Sequence, residues 1–404
     1  MESVRPKLKI ASAIFGSLSK VGGYQVFTLN LLAGLSNRGH DVTLFVPGED
    51  KSMNKKFYDN LPFKVKGFPR PTGKLAKYIP FVLKIYVRFQ NLINRFQVWQ
   101  IIGSFPAAYI VSTLAGTVPL VLRAHGDDIQ KHEGLRYGLR LDRRKELLIT
   151  EAVNKMDKVI ALNATISDAY IELEVQESRI AEVPNGVDIK RFSNSYATSN
   201  TRHEWNIPQE KFFLLTVGRF HEKKGYRLIP QIAKILKSRG ANVHWLIVGA
   251  NTHLIDGIIR QEEVSDIVET SPAIGFNDEL NGNVVFEVPD EKLVRLYQCA
   301  DMFVFPTLLE GFPRVLIEAM AARLPVVTTD APGCREIMID RQNGMVSAAG
   351  DVELMASNIL ALLKDQNLRE HIVENGHSLA EGYDWEVILD KYEIVYKSLI
   401  DDIL

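Results

Sequence analysis

The chain has 404 residues, more than one domain usually holds, so two domains are the starting expectation. Its make-up, 46% hydrophobic and 24% charged, is that of a soluble globular protein and argues against disordered, collagenous or multispanning membrane classes. The two cysteines, Cys299 and Cys334, are too few for a disulfide framework and fit a reducing compartment.

The net charge of −1 hides an asymmetry. Residues 1–190 hold 27 Lys and Arg against 18 Asp and Glu, and residues 51–100 alone hold 11 basic side chains and one acid, Asp59. The amino-terminal half is therefore expected to face something anionic. The opening residues are polar and the apolar run Ile10–Phe15 is short, which argues against a secretory leader.

In chain order, strands are predicted at Leu8–Phe15, Asp41–Pro47, Phe63–Phe68, Val98–Ser104, Val118–Ala124 and Lys158–Leu162. Further strands follow at Phe212–Gly218, Val243–Gly249, Val284–Val288, Met302–Pro306 and Pro325–Thr329. Most are short continuous apolar runs, as parallel strands covered on both faces require. Helical patterns fall between them, for instance Gln25–Asn37, Arg227–Arg239 and Glu353–Leu363, giving repeated βα units of a parallel α/β fold. The uncharged stretch Phe96–Leu122 is broken by Gly103, Pro106, Gly116 and Pro119, and reads as strand, helix and strand rather than a membrane span. A polar, turn-rich segment at 193–202 marks the boundary between two similar halves. A deep cleft between them, at the carboxyl ends of the strands, is the expected binding place.

A helix from Pro80 to about Phe96 places Lys84, Arg88 and Arg95 within roughly 40° of one another. Val82, Tyr86, Phe89, Ile93 and Phe96 fall on the other side. That pattern suits an anionic membrane surface, and Arg136, Arg140, Arg143, Arg144 and Lys145 form a second basic cluster. Packing of the apolar face on the sheet is the alternative. Nucleic acid fits less well, because the aromatics lie opposite the basic stripe.

Five segments carry chemistry. Val21-Gly-Gly-Tyr24 follows the first strand, where glycines admit a close ligand and a helix N-terminus favours an anion. It is not the dinucleotide fingerprint. Arg123-Ala-His-Gly-Asp-Asp128 puts a histidine, two acids and an arginine at a strand's carboxyl end. Val183-Pro-Asn-Gly-Val-Asp188 is a turn. Arg219 and Lys224, in Gly218-Arg-Phe-His-Glu-Lys-Lys-Gly225, can converge on a diphosphate. Glu310-Gly-Phe-Pro-Arg-Val-Leu-Ile-Glu318 crosses a loop-to-helix junction, with phosphate-seeking backbone N–H groups between two carboxylates that suit sugar or ribose hydroxyls. No His, Cys and acid cluster has metal-ligand spacing.

Taken in order, these segments and Leu35-x-x-Arg-Gly-His-Asp-Val42 resemble the retaining glycosyltransferases of family 4 over nearly the whole chain. The resemblance implies the GT-B fold, two Rossmann-like domains with parallel sheets facing a deep cleft. Residues 1–192, with a returning helix at about 385–404, would form the acceptor-side domain and 203–384 the donor domain. It implies a sugar moved from a UDP-, GDP- or ADP-sugar to a glycan or lipid-linked acceptor, with no metal or other cofactor. A surface-glycan setting, cytoplasmic and peripheral on the inner membrane face, follows by association.

By the same resemblance His125, Arg219, Lys224 and Glu310 would be catalytic, Arg219 and Lys224 holding the diphosphate as it leaves. Gly22, Gly23, Gly218, Phe312, Pro313, Arg314 and Val315 would contact the donor, and Glu318 its ribose. By their place on the basic stripe and in the second basic cluster, rather than by the resemblance, Lys84, Arg88, Arg95, Arg140, Arg143 and Arg144 would face acceptor or membrane. Gly-Phe-Pro-Arg stands where many relatives have Gly-Phe-Gly, and Glu287 where glycine is common. Alternatives are a non-catalytic sugar-nucleotide-binding protein or another GT-B enzyme, such as an epimerase or a phosphorylase.

Overall fold

A computed structural model describes residues 7–19, 23–69, 78–193, 198–274 and 289–401. The chain divides into two compact units, one reaching to Pro184 and resuming at Glu386, the other formed by Asn185–Phe276 and Glu287–Trp385. Gly22 and the predicted strand Val284–Val288, with Glu287, lie outside the described residues.

The first unit is built on a parallel sheet in the order β3-β2-β1-β4-β5-β6-β7. Its strands are β1 (Lys9–Ala13), β2 (Asp41–Pro47), β3 (Lys64–Phe68), β4 (Val98–Ile102), β5 (Leu120–Arg123), β6 (Lys158–Ala161) and β7 (Ile180–Glu182). The central strands are buried on both faces, which is why they read as unbroken apolar runs. The order reverses between β1 and β4, so their carboxyl ends flank a crevice where α/β proteins bind ligands. The helix Trp385–Asp401 docks on this unit: Arg38 donates to Asp390 at 2.7 Å and to Glu393 at 3.2 Å, and Tyr396 Oη donates to Gln100 Oε1 at 2.8 Å.

The second unit repeats the plan in the order β10-β9-β8-β11-β12-β13. The strands are β8 (Phe212–Val217), β9 (Val243–Val248), β10 (Val268–Ser271), β11 (Met302–Phe305), β12 (Val326–Thr329) and β13 (Met345–Ser347). Here the reversal falls between β8 and β11. The sequence reading overlooked β7, β10 and β13, which are short outer strands of each sheet; β7 and β10 are largely uncovered and lack an apolar run.

Residues 198–202, read as part of a structureless boundary, belong to a helix, Thr198–Glu204. Tertiary anchoring overrides its weak pattern. Arg202 donates to Asp301 Oδ2 at 2.6 Å and to the Cys299 carbonyl at 3.2 Å, pinning the turn to the end of a neighbouring helix. Among the described residues no helix is long and apolar enough to cross a membrane.

Candidate functional site

In the second unit, β8 is followed by Gly218, whose φ of +147° only glycine adopts readily. A Cβ there would lie 2.7 Å from the Tyr226 hydroxyl, and one at Gly249 would lie 1.9 Å from the Gly218 carbonyl oxygen. These close approaches let the loop 219–225 fold over the sheet edge. The Lys223 carbonyl then accepts from Leu308 N at 2.7 Å, Leu309 N at 3.2 Å and Thr307 Oγ1 at 3.0 Å. The loop after β8 is thereby stitched to the loop after β11.

That stitching sets Lys224 Nζ 2.5 Å from Glu310 Oε1, with Thr307 Oγ1 3.1 Å from the same oxygen and its single proton shared between that oxygen and the Lys223 carbonyl. Glu310 is buried. Burial alone would raise its pKa, but the charges of Lys224 and Lys223 hold it below the ordinary carboxylate range. Lys224 is only partly covered, and Arg219 is exposed at the mouth of the same loop. A fixed carboxylate facing the charges of Lys224 and Lys223 at a switch point can hold hydroxyls on one side and a diphosphate on the other.

Glu318 lies on the helix Arg314–Ala321 and is 2% exposed. Tyr297 Oη donates to Oε2 at 2.9 Å and Arg314 Nε to Oε1 at 2.7 Å. Both oxygens are thus engaged, so a ribose hydroxyl would share the carboxylate's remaining lone pairs or displace Arg314. Phe312 and Pro313 are buried and set the helix entry, whereas Val315 is partly exposed. Pro313 has no N–H, and the N–H groups of Arg314 and Leu316 already donate to Phe312 and Pro313 carbonyls. Sequence reasoning missed Tyr297, Thr307 and Lys223. Lys223 lies inside the quoted motif but was given no role, and nothing local marks Tyr297.

In the first unit His125 follows β5, and Gly23 opens the helix Gly23–Asn37. The Tyr24 ring lies 4.7 Å from the His125 ring, which brings the glycine segment and the histidine together. A Cβ at Gly23 would meet nothing within 4 Å, so packing alone does not demand the glycine. The loop after β5 is held by Asp128, a residue given no role from sequence. Its Oδ1 accepts from His125 N at 2.6 Å and Gly126 N at 3.3 Å, and its Oδ2 from Ser104 N at 2.5 Å. Burial, then the nearby Asp127, pushes its carboxyl up to about 6 against these hydrogen bonds.

Arg140 is not a surface cation: it is 5% exposed, donates to the Ile129 carbonyl at 2.8 Å and pairs with Glu172 at 3.1 Å. Arg95 leaves the helical stripe, because the helix Ile79–Asn94 stops before it and Arg95 takes a left-handed cap. Lys84 sits 4.0 Å over the Tyr109 ring, and exposed Arg88 donates to the Thr113 carbonyl. The apolar faces are also redistributed. Leu83, Val87 and Phe96 are buried, whereas Phe81, Ile85, Phe89, Leu92 and Ile93 are exposed by 53 to 76% over an arc of about 120° bordered by Arg88. Both this helix and Arg143–Val153 pack beside residues 109–111, and the second helix presents exposed Arg143, Arg144 and Leu147.

The two parallel sheets, each reversing its strand order at a switch point, have the GT-B architecture. A model for glycosyltransferase family 4 matches residues 21–191 and one for glycosyl transferases group 1 matches 198–379. The chain belongs to the family 4 glycosyltransferases. It is 28% identical to the capsular polysaccharide biosynthesis glycosyltransferase CapM of Staphylococcus aureus, over 54% of either chain. It therefore spans about half the length of that relative. It is 25% identical to the N-acetyl-alpha-D-glucosaminyl L-malate synthase of Bacillus anthracis over 98% of both chains. Among solved structures, Anabaena HepE in complex with UDP superimposes with a TM-score of 0.78 at 17% identity, covering 97% of this chain and 100% of that one.

Proposed function

We propose that this enzyme is a retaining, metal-independent hexosyltransferase. It would take a sugar from a UDP-, GDP- or ADP-sugar and place it on a glycan or lipid-linked acceptor during surface polysaccharide or glycolipid assembly. The observation that carries the reading is the Lys224–Glu310 pair at the carboxyl edge of the second sheet, with Arg219 exposed in the same loop as Lys224. Cleavage of a glycosyl phosphate builds negative charge on the diphosphate, which Arg219 and Lys224 stabilise, and positive character on the sugar, which the Glu310 side favours. Glu318 takes the ribose, while Gly218 and residues 312–315 line the donor's phosphates. Residues 203–384 serve as the donor domain. Residues 1–192 with the last helix serve as the acceptor side, where Gly22, Gly23 and His125 meet the sugar. Two likenesses support the class of reaction: the matched relative CapM acts in capsule synthesis, and HepE was solved with UDP.

A thermal-shift screen against UDP-, GDP- and ADP-sugars tests this. A donor at a hundred times its Kd stabilises by about 2.7 kcal/mol, a rise of roughly 5 to 10 °C. Selective stabilisation by one nucleotide is expected; no shift with any of them removes the donor assignment.

The acceptor side works at an anionic bilayer, on the cytoplasmic face. The exposed stripe Phe81–Ile93, with Arg88, and the neighbouring Arg143, Arg144 and Leu147 support this seat, which differs from the face expected from sequence. No acid occurs in the helix Ile79–Asn94, so an anionic surface meets no repulsion from it. Flotation with vesicles containing anionic lipid should carry the protein at low salt. Phe81→Ser with Phe89→Ser should reduce binding by roughly tenfold or more, since each inserted aromatic contributes about 1.5 kcal/mol or more. Absence of flotation at low salt sinks the membrane seat and leaves the transferase reading untouched.

A further inference from the structure

His125 Nδ1 lies 2.8 Å from a guanidinium nitrogen of Arg123. A guanidinium stays protonated and offers no lone pair, so in this contact Arg123 donates and Nδ1 accepts. An imidazole whose Nδ1 accepts carries its proton on Nε2 if it is neutral. We propose that Arg123 is a positioning residue that fixes His125 as the neutral Nε2–H tautomer, making it a hydrogen-bond donor to a substrate hydroxyl and barring it from acting as a general base.

Arg123 cannot easily turn away. It is 3% exposed, belongs to a strand paired on both sides, and its guanidinium lies 3.7 Å from the centre of the Phe27 ring. His125 is equally constrained, because its own N–H is held by Asp128 and its ring is flanked by Tyr24. A Cβ at Gly103 would stand 3.6 Å from His125 Cδ2 and 3.8 Å from Nε2, so the glycine leaves the Nε2 edge uncrowded. Protonating Nδ1 would set one N–H against another beside a fixed positive charge. Burial, and next the Arg123 charge, hold the His125 pKa well below its ordinary value. Among the described residues, the charged or titratable groups placed against His125 include Arg123, Asp128 and Tyr24. The Asp128 carboxylate is turned to backbone N–H groups rather than to Nδ1.

The consequence for the reaction rests on the transferase reading above. Nε2 already carries a proton and Nδ1 is capped, so His125 has no site to take the proton of an attacking hydroxyl. As the new bond to the anomeric carbon forms and the glycosyl–phosphate bond breaks, that proton passes to the departing phosphate oxygen, while His125 donates to a hydroxyl of the sugar or acceptor.

The tautomer can be read without any substrate. Long-range proton–nitrogen correlation spectra of the nitrogen-15-labelled full chain distinguish Nε2–H, Nδ1–H and doubly protonated rings, and a His125→Asn sample assigns the signal. The expected result is a pure Nε2–H pattern for His125, unchanged from pH 5.5 to 8. In Arg123→Met the ring should mix tautomers and its pKa should rise, while burial still holds it below the ordinary value. Arg123→Lys, which keeps a charged donor, should preserve the pattern if the methionine variant does not fold. An Nδ1–H pattern, or titration near 6.5 in the unaltered protein, overturns the proposal. An intact tautomer in a protein that neither binds nor turns over any sugar nucleotide would overturn the transferase mechanism instead.

Discussion

Replacing Lys224 with alanine is expected to lower kcat by roughly a hundred- to a thousandfold, the scale of losing one preorganised charge at a developing anion. The fall should sit mainly in kcat, because the leaving diphosphate gains charge in the transition state. Lys224 is also the first charge facing Glu310, so the variant has a second signature. With Lys224 present, the Glu310 pKa is depressed, and its contribution to stability is present above the ordinary value near 4.5 and lost only as pH falls through the depressed one. Without Lys224, burial is opposed less, with the Lys223 charge and the Thr307 hydrogen bond remaining, so that pKa should rise and the variant should lose stability relative to the parent as pH rises through it. The difference in Tm between the parent and Lys224→Ala should widen as pH rises from 4 to 8, with the titrations the two proteins share, such as that of Asp128, cancelling. Glu310→Gln in the same background should remove that widening. A Lys224→Ala enzyme with near-parental kcat would show that the pair is structural rather than part of the chemistry.

Much of this site was legible in the sequence, for a definite reason. Glu310 and Glu318 flank a strand–loop–helix junction whose pattern is local, and Gly218, Arg219 and Lys224 follow a strand whose apolar run is unmistakable. What bridges them was not legible. The bond from Tyr297 to Glu318 spans 21 residues and that from Lys224 to Glu310 spans 86, distances over which no periodicity carries information. The basic cluster misled in the same way. Arg140 reads as one more surface cation beside Arg143 and Arg144, and only the placement of Glu172 and the Ile129 carbonyl explains its burial. On the helix Ile79–Asn94 the period was right and the face was wrong. Apolar residues occur all round it, so the pattern could not say which would meet the sheet; Leu83 and Val87 do, and Phe81, Ile85 and Leu92 do not.

The largest effect on both stability and activity is expected at Gly225, a residue with no side chain to contribute. Its φ is +65°, a conformation that costs an L-residue roughly 1 to 2 kcal/mol. A Cβ there would lie 1.9 Å from the Pro306 carbonyl oxygen, which is backbone at the end of β11 and cannot rotate aside. Gly225→Ala must therefore separate the loop 219–225 from the segment 306–310. That separation strains the three hydrogen bonds on the Lys223 carbonyl, each worth about 1 kcal/mol. The combined loss of about 3 to 5 kcal/mol should lower Tm by roughly 10 °C. Turnover should fall further than stability alone predicts, because the same seam holds Lys224 against Glu310. Gly240 supplies the control. Its φ is +72°, but a Cβ there would meet nothing within 4 Å, so Gly240→Ala incurs only the backbone strain. If the two alanine variants lost the same few degrees and kept the same kcat, the close approach at Pro306 would not be what positions the pair, and Lys224 would have to reach Glu310 by its own flexibility.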